Sequence, residues 1–241
     1  MSAQKGALIL IPCCKTKIVL PENRFFSSLL EGMQGLRTQL LELINDTRDI
    51  ADRPENKRGI LDATVPLTAA LDLYSGGFYQ IARKCLALCL DNRIQSINVL
   101  IVSAFYGIVE LYEGLRIYDL TMADRLIDGK QIWQFWRDKT LSQIISHYVF
   151  RNNISHIWSL LPNSPQFPYH KIFNDLWDIS HFYELSCYHV NVPNAGSGTG
   201  IKRAEWLREA LSYNSGYLTA NPFPPAQFST IPGFSYVYER C

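Results

Sequence analysis

The sequence predicts an α/β fold built around a central, mostly parallel sheet of four strands. Four short runs rich in apolar and β-branched residues supply the strands, at 7–11, 97–102, 154–161 and 185–192. Segments with a helical pattern of apolar residues alternate with these runs, at 27–50, 77–90, 131–149 and 201–212. Such alternation is typical of parallel strands joined by right-handed helical crossovers.

The sequence around each run supports this assignment. The first two runs are apolar throughout, as expected for strands covered by helices on both faces. All four are followed by residues that favour turns, and then by helical sequence. The polar segment 53–67 is predicted to be a loop. The stretch 214–241 is rich in proline and aromatic residues, and we expect irregular chain packed on a single domain that spans 1–241.

The charge balance limits the classes of function. Lysine and arginine number 23 and aspartate and glutamate 22, which gives a net charge of +1. Hydrophobic residues make up 47% of the chain, enough for a substantial core. A bulk polybasic nucleic-acid binder is therefore excluded. A local basic groove is not, because a field depends on the distribution of charge as well as on its sum.

The sequence also bears on compartment. No run of about 18 apolar residues predicts a transmembrane helix, and the apolar run at 7–11 is too short for a signal peptide. Six cysteines are present, at Cys13, Cys14, Cys85, Cys89, Cys187 and Cys241. Their spacing suits neither a standard disulfide framework nor a zinc ribbon. We therefore expect a reduced, cytoplasmic protein without a membrane span or a metal site.

Candidate functional residues follow the strands, because open parallel sheets bind ligands beyond the carboxyl ends of their strands. After the first run, Lys15 and Lys17 flank a turn whose N–H groups could face an anion. A polar turn with two solvated lysines is an equally good interpretation. Cys13 could be a nucleophile, although no histidine is near it in sequence.

Asp119 ends the excursion that follows the second run, directly after Tyr118. A carboxylate beside aromatic rings suits acid–base or electrostatic catalysis. The alternative is that Asp119 caps a helix beginning near Thr121. His170, after the third run, is a weaker candidate, since a lone histidine is more often structural than catalytic.

A glycine-rich loop follows the fourth run and leads into a helix whose first turn carries Lys202 and Arg203. Cations are unfavourable at a helix N-terminus unless an anion is bound there, so the loop is predicted to bind phosphate. It lacks the Gly-Lys-Ser/Thr ending of a Walker loop and the later acidic residue of a dinucleotide fingerprint.

Several segments together resemble the YaaA-like superfamily. They are Leu10-Ile-Pro-Cys-Cys-Lys-Thr-Lys17, Ala70-Leu-Asp-Leu-Tyr-Ser-Gly-Gly-Phe-Tyr79, Ile101-Val-Ser-Ala-Phe-Tyr-Gly-Ile108, Ile117-Tyr-Asp-Leu-Thr121 and the helical Trp133-Gln-Phe-Trp136. The resemblance covers most of 7–150 in order and fades after about 160. The chain departs from the family pattern at Ile117, where proline is usual, and in a helical insertion at about 21–66.

This resemblance implies a DNA-associated protein with the three-layer α/β/α sandwich of uracil-DNA-glycosylase-like enzymes. The branch it most resembles defends bacteria as DNA glycosylases against phages whose DNA carries glucosylated 5-hydroxymethylcytosine. The implied partner is modified phage DNA, expected to be double-stranded, and no cofactor is needed.

The implied roles follow the chemistry of base excision. Glycosylases flip a nucleotide into a pocket, and N-glycosidic cleavage develops positive charge on the deoxyribose. Asp119 is the expected catalytic carboxylate, with Asp72 in reserve unless it is a structural helix residue. The expected base pocket comprises Phe105, Tyr106, Tyr118 and Cys13, although core packing is the commoner role of aromatic residues. The expected phosphate ligands are Lys15, Lys17, Ser197, Gly198, Thr199, Lys202 and Arg203.

Two other functions remain open. A non-enzymatic DNA-binding stress protein would bind DNA without releasing a base. An N-ribosidase of free nucleotides would need the same carboxylate and phosphate loop but no extended basic surface, which the near-neutral charge favours.

Overall fold

A computed structural model describes the greater part of the chain. The described residues are 6–20, 30, 32–90, 96–164, 168–179, 185–192, 196–213, 218–219, 230–231, 234–235 and 237–240. The strands are β1 (Gly6–Pro12), β2 (Thr68–Ala69), β3 (Ile97–Ser103), β4 (Gly107–Glu110), β5 (Gly114–Leu115), β6 (Ile154–Ser159), β7 (Ser186–Asn191), β8 (Thr230–Ile231), β9 (Phe234–Ser235) and β10 (Val237–Arg240). The helices are α1 (Met33–Asp46), α2 (Arg48–Ala51), α3 (Pro54–Lys57), α4 (Ala70–Leu73), α5 (Gly77–Leu90), α6 (Ile132–Asp138), α7 (Leu141–Arg151), α8 (Asn174–Ile179) and α9 (Thr199–Tyr213).

The central sheet has six strands in the order β10-β7-β6-β1-β3-β4. The four strands in the middle are parallel, and they are the four predicted from the apolar runs. The mostly parallel α/β fold is therefore confirmed. The predicted number of strands is wrong, because β4 and β10 each add an antiparallel edge.

Neither edge strand was predicted from the sequence pattern, and the reason differs between the two. β4 is only four residues long, and Gly107 at its start has a φ of +68°, which turns the chain back along β3. β10 lies in the segment that we predicted to be irregular, so that prediction is wrong for Val237–Arg240. Pairing with β7, which no local pattern encodes, makes this segment a strand.

The helix predictions are correct in place, and α5 has the predicted bounds, but two predicted helices are each divided in two. The predicted helix at 131–149 is two helices, α6 and α7, because Thr140 adopts a left-handed conformation between them. Of the predicted helix at 27–50, the described part is α1 and α2, which meet at Thr47. The predicted loop at 53–67 contains α3, which begins with a proline at its N-terminus, where the missing N–H costs nothing.

The helices form two groups. The chain crosses the sheet in one direction from β1 to β3 and in the other from β3 through β6 to β7, so right-handed crossovers place α5 and α7 on opposite faces. α5 packs against α9, whereas α6, α7 and α8 all contact a 3-10 turn at His170–Phe173. This arrangement is consistent with an α/β sandwich.

The segment that contains α1 is anchored in the core. The buried Arg37 side chain forms an ion pair with Glu113 and donates hydrogen bonds to the carbonyls of Tyr106 (2.8 Å) and Ile108 (2.9 Å). A buried guanidinium needs such partners, because an unpaired buried charge is costly. α1 is therefore fastened to the turn between β3 and β4.

Within the described residues, no helix combines the length and apolar character needed to cross a membrane.

Candidate functional site

The parallel strands end at one edge of the sheet, and polar side chains collect there. Cys13 follows β1, Ser103 ends β3 and Ser159 ends β6. Ser159 lies beside His189 of β7 in the strand register. Two clusters result, one at the ends of β1 and β3 and the other at the ends of β6 and β7.

We call the side chains of Tyr74, Ser103 and Tyr118 the hydroxyl cluster. The Tyr118 hydroxyl lies 2.8 Å from Ser103 Oγ and 2.9 Å from the Tyr74 hydroxyl, which donates to Ser103 Oγ at 3.2 Å. The Tyr106 backbone N–H also donates to Ser103 Oγ, at 3.0 Å. Burial raises the pKa of both tyrosines well above its usual value, so the cluster stays protonated and neutral.

The Cys13 thiol borders this cluster. Its Sγ lies 3.2 Å from the hydroxyl of Tyr169, whose pKa burial also raises well above the usual value. The Tyr79 hydroxyl donates to the Pro12 carbonyl at 2.8 Å and fixes the end of β1. The neighbouring Cys14 accepts a hydrogen bond from the Gly76 N–H at 3.2 Å. The predicted pocket residue Cys13 is therefore held among tyrosines rather than beside a histidine base.

Lys17 folds back over this cluster. Its ammonium lies 3.9 Å from the centroid of the Tyr118 ring and donates to the Lys15 carbonyl at 3.2 Å. Burial lowers the pKa of Lys17, while nearby thiols and the Asp119 carboxylate raise it and so oppose the shift. Lys15, in contrast, is exposed. The structure thus brings Lys17 close to Asp119 and Tyr118, and leaves Lys15 at the surface.

Asp119 is held through its backbone. Its N–H donates to Asn56 Oδ1 at 2.7 Å. Its carbonyl accepts from Arg53 at 2.9 Å and from Asn56 Nδ2 at 3.2 Å. The half-buried carboxylate itself forms no hydrogen bond or ion pair with any other described residue. We call this arrangement the Asp119 clamp.

The structure contradicts the prediction that Asp119 could cap a helix near Thr121. Residues 121–124 form a turn instead, in which the Thr121 N–H donates to Asp124 Oδ2 at 2.7 Å. Arg53 pairs with both carboxylate oxygens of Asp124 at 2.9 Å. Asp124, rather than Asp119, is thus the structural carboxylate of this loop.

Asp72, the reserve catalytic candidate, lies in the first turn of α4. Its carboxylate pairs with Arg83 of α5 at 3.3 Å, and Arg83 also donates to the Tyr74 carbonyl at 2.8 Å. This pairing ties α4 to α5 and supports the structural interpretation of Asp72.

The three predicted aromatic pocket residues meet in space. The ring centroids of Phe105 and Tyr106 are 4.7 Å apart, and that of Tyr118 lies 5.7 Å from Tyr106 and 6.1 Å from Phe105. All three are buried within the main core. They form a continuous wall beneath Lys17, packed by edge-to-face contacts.

The second cluster contains Ser159, His170, His189 and Arg203, and we call it the histidine–arginine cluster. The two imidazole rings lie 4.6 Å apart, and His170 stacks on Trp177 at 5.0 Å. Ser159 Oγ and the Nδ1 atoms of His170 and His189 are buried and have no hydrogen-bond partner among the residues that the structure describes. Burial lowers the pKa of His170 to about 4 and that of His189 to about 3, with the charge of Arg203 adding to both shifts.

The described part of the glycine-rich loop is stabilised by contacts of its own. Gly196–Gly198 form a 3-10 turn, and Thr199 Oγ1 donates to the Gly196 carbonyl at 2.6 Å. The ammonium of Lys202 pairs with Glu205 at 2.7 Å. The side chain of Arg203, a predicted phosphate ligand, is buried, and its Nε donates to the Val190 carbonyl at 3.0 Å. The side chain of Ser197 lies outside the described part of the chain.

Several residues of this edge were missed by the sequence reasoning. Tyr74, Ser103 and Asn56 lie far apart in sequence from the residues they hold, and Tyr169 reaches Cys13 across 156 positions. One signal was available: Ser103 directly follows the predicted run at 97–102 and Ser159 lies near the end of the run at 154–161, which places both toward the carboxyl edge.

A separate cleft of about 600 Å³ lies away from this edge. Its lining includes Glu110, His147, Tyr148 and Arg151. The Tyr148 hydroxyl donates to Asn98 near the start of β3, so the cleft opens toward the opposite edge of the sheet. Burial raises the pKa of Glu110.

No family model matches this chain, and no curated protein matches it either.

Proposed function

We propose that the protein is a DNA glycosylase that flips a modified base out of phage DNA and hydrolyses its N-glycosidic bond. One observation carries this proposal: the Asp119 clamp presents a half-buried carboxylate, without a partner among the described residues, next to the buried tyrosines at the carboxyl edge. A carboxylate with no internal partner is free to act on a substrate.

The chemistry follows from the charge that develops during cleavage. As the bond between C1′ and the base nitrogen breaks, the deoxyribose gains positive charge, which a nearby carboxylate stabilises. The nucleobase leaves with the electrons of the broken bond. Water forms the new bond to C1′, and the proton that it loses passes to the departed nucleobase. In this proposal Asp119 stabilises the sugar cation and orients the water.

The neighbouring residues suit supporting roles. Lys17 lies within electrostatic range of Asp119, and in this proposal its ammonium binds a phosphate beside the flipped nucleotide. Tyr118 and Tyr106 are buried and would support the base pocket from within the core, and Lys15 offers an exposed cation for the DNA backbone. The uracil-DNA-glycosylase-like sandwich, the cytoplasmic location and the role in phage defence are parts of the same proposal.

A second function is favoured by a specific observation. Lys202 is paired with Glu205 and Arg203 is buried, so neither is a free surface cation that could follow a duplex. An N-ribosidase acting on free nucleotides needs no such surface. Both functions share Asp119 and the hydrolysis of an N-glycosidic bond.

The decisive experiment searches for the released base. The full chain is incubated separately with glucosylated phage DNA, unmodified DNA and free nucleotides, and released bases are identified by mass spectrometry. Abasic sites are detected by strand cleavage at alkaline pH. Base release from modified DNA supports the glycosylase, and release from nucleotides alone supports the N-ribosidase. DNA binding without any release refutes both and supports a non-enzymatic binding protein.

Asp119→Asn tests the carboxylate. The clamp uses backbone atoms of Asp119, so the amide side chain should leave the loop in place. We expect base release to fall by about a hundredfold or more, because the charge that stabilises the sugar cation is lost. Asp138→Asn is the matched control, since Asp138 pairs with Lys130 on the surface. Full activity in a folded Asp119→Asn protein, or a comparable loss in Asp72→Asn alone, would remove Asp119 from this role.

A further inference from the structure

We propose that the histidine–arginine cluster is a binding site for the terminal phosphate of a phosphate monoester. The proposal goes beyond base excision and does not depend on it, because it concerns a separate cluster at the ends of β6 and β7.

The first argument is the set of unsatisfied polar atoms. Ser159 Oγ and the Nδ1 atoms of His170 and His189 have no hydrogen-bond partner in the described structure. The side chains of Ser159 and His189 are 0% and 3% exposed. Buried polar groups in proteins are almost always hydrogen-bonded, and three exceptions in one place indicate a missing partner.

The second argument is the charge. Arg203 is 5% exposed, and of its five N–H donors only Nε is bonded to another described residue, at the Val190 carbonyl. Among the described residues, no carboxylate pairs with it. A buried guanidinium without a counter-charge is costly, so the missing partner should be an anion. A metal cation is disfavoured by the same charge.

The third argument concerns the shape of the anion. Phosphate oxygens accept several hydrogen bonds at once, which suits a planar guanidinium, two imidazoles and a hydroxyl. A phosphodiester continues as chain on both sides and could not reach side chains this deeply buried. A terminal phosphate has only one substituent and can enter. Arg203 also lies one turn after the start of α9, whose first N–H groups add positive potential.

The cluster is also connected to the proposed catalytic edge. Tyr169 reaches the Cys13 thiol with its hydroxyl, while the next residue, His170, contacts His189. A phosphate in the cluster would therefore lie along the same row of strand ends as the hydroxyl cluster. This position suits the 5′-phosphate of a nucleotide or of a DNA end.

The experiment measures phosphate binding directly, in phosphate-free buffer, with the full chain. Inorganic phosphate is titrated while thermal unfolding and the ³¹P resonance are followed. Deoxycytidine 5′-monophosphate is compared with deoxycytidine, and an oligonucleotide carrying a 5′-phosphate with the same oligonucleotide lacking it. These arms distinguish free phosphate, a nucleotide and a DNA end as sources. The variants are Arg203→Gln and His189→Asn, and Arg208→Gln is the control because Arg208 is exposed on the same helix.

We expect inorganic phosphate to raise the unfolding temperature to a plateau. The dissociation constant should rise about tenfold or more in both cluster variants, through loss of a charge-assisted or neutral hydrogen bond, and stay unchanged in Arg208→Gln. If Arg203→Gln does not fold, His189→Asn carries the test. Absence of phosphate binding, or equal binding by all variants, would overturn the proposal. Equal affinity for the oligonucleotides with and without the 5′-phosphate would overturn the restriction to monoesters. Base release is measured separately, so either proposal can fail alone.

Discussion

Two buried serines at the carboxyl edge of the sheet differ in their hydrogen bonding. Ser103 ends β3 and Ser159 ends β6, and both side chains are fully buried. Ser103 Oγ has three hydrogen-bonding neighbours, whereas Ser159 Oγ has none within the described part of the chain. Within the described residues, Ser103 in the hydroxyl cluster is therefore hydrogen-bonded, whereas three buried polar atoms of the histidine–arginine cluster have no partner.

The difference has an energetic meaning. In the hydroxyl cluster, the cost of removing polar groups from water is offset within the protein, so the cluster can serve as a rigid wall for the site. In the histidine–arginine cluster, that cost is left without compensation. Uncompensated burial is one way in which binding sites are kept ready for a ligand, at the expense of stability.

Lowering the pH should show this cost in stability, and it should give the largest effect on the free energy of unfolding. The pKa of His170 is about 4 and that of His189 about 3, both below the usual 6.5. As the pH falls below about 6.5, the unfolded chain takes up protons that the folded protein excludes, so stability present at neutral pH is lost. By pH 4.5 we expect a loss on the order of 2 kcal/mol per histidine, measured by denaturant unfolding.

A matched pair of variants separates this effect from general acid denaturation. His189→Asn should lose less stability than the parent protein between neutral pH and pH 4.5, because one proton-linked group is gone. His147→Asn, at an exposed position of α7, should follow the parent curve. Parallel curves for all three proteins would show that the buried histidines do not control the acid response.

Breaking the satisfied cluster should give the next largest effect. Ser103→Ala removes the oxygen that Tyr118, Tyr74 and the Tyr106 N–H share. Buried groups left without a partner typically cost 1–3 kcal/mol, and we expect a loss of about 2 kcal/mol in the free energy of unfolding. A loss below about 0.5 kcal/mol would mean that the cluster does not stabilise the fold.

The same substitution at the other serine should have the smallest effect. Ser159→Ala removes a buried hydroxyl that has no partner, so no hydrogen bond is lost. We expect the free energy of unfolding to change by about 0.5 kcal/mol or less, or to rise, in phosphate-free buffer. A loss as large as that of Ser103→Ala would abolish the contrast between the two clusters.

The sequence predicted the parallel centre of the sheet well. Continuous apolar runs identify β1 and β3, and α5 has the bounds that its helical pattern predicted. β10 depends on pairing with the distant β7, β4 depends on pairing with β3 across a tight turn at Gly107, and Thr140 takes a left-handed conformation between α6 and α7. Local patterns carry no information on such contacts.

The site was predictable only in part, for a similar reason. Cys13 and Tyr118 follow predicted strands, and the structure brings them to the same edge. The burial of Arg203 was not predictable, because the sequence of α9 does not reveal which side chains face β7. Asn56, 63 positions before Asp119, has no local signature of its role.

The Asp119 clamp gives the helical insertion a consequence for protein engineering. A Cβ at Gly59 would lie only 2.0 Å from the Ile117 carbonyl oxygen, so the chain after α3 touches the loop that carries Asp119. Shortening the insertion to make a smaller protein would remove Asn56 and this contact together. The remaining sheet could still fold, but the loop that carries the Asp119 carboxylate would lose the contacts that hold it in position. Activity could then be lost by trimming a segment that contributes none of the four central strands.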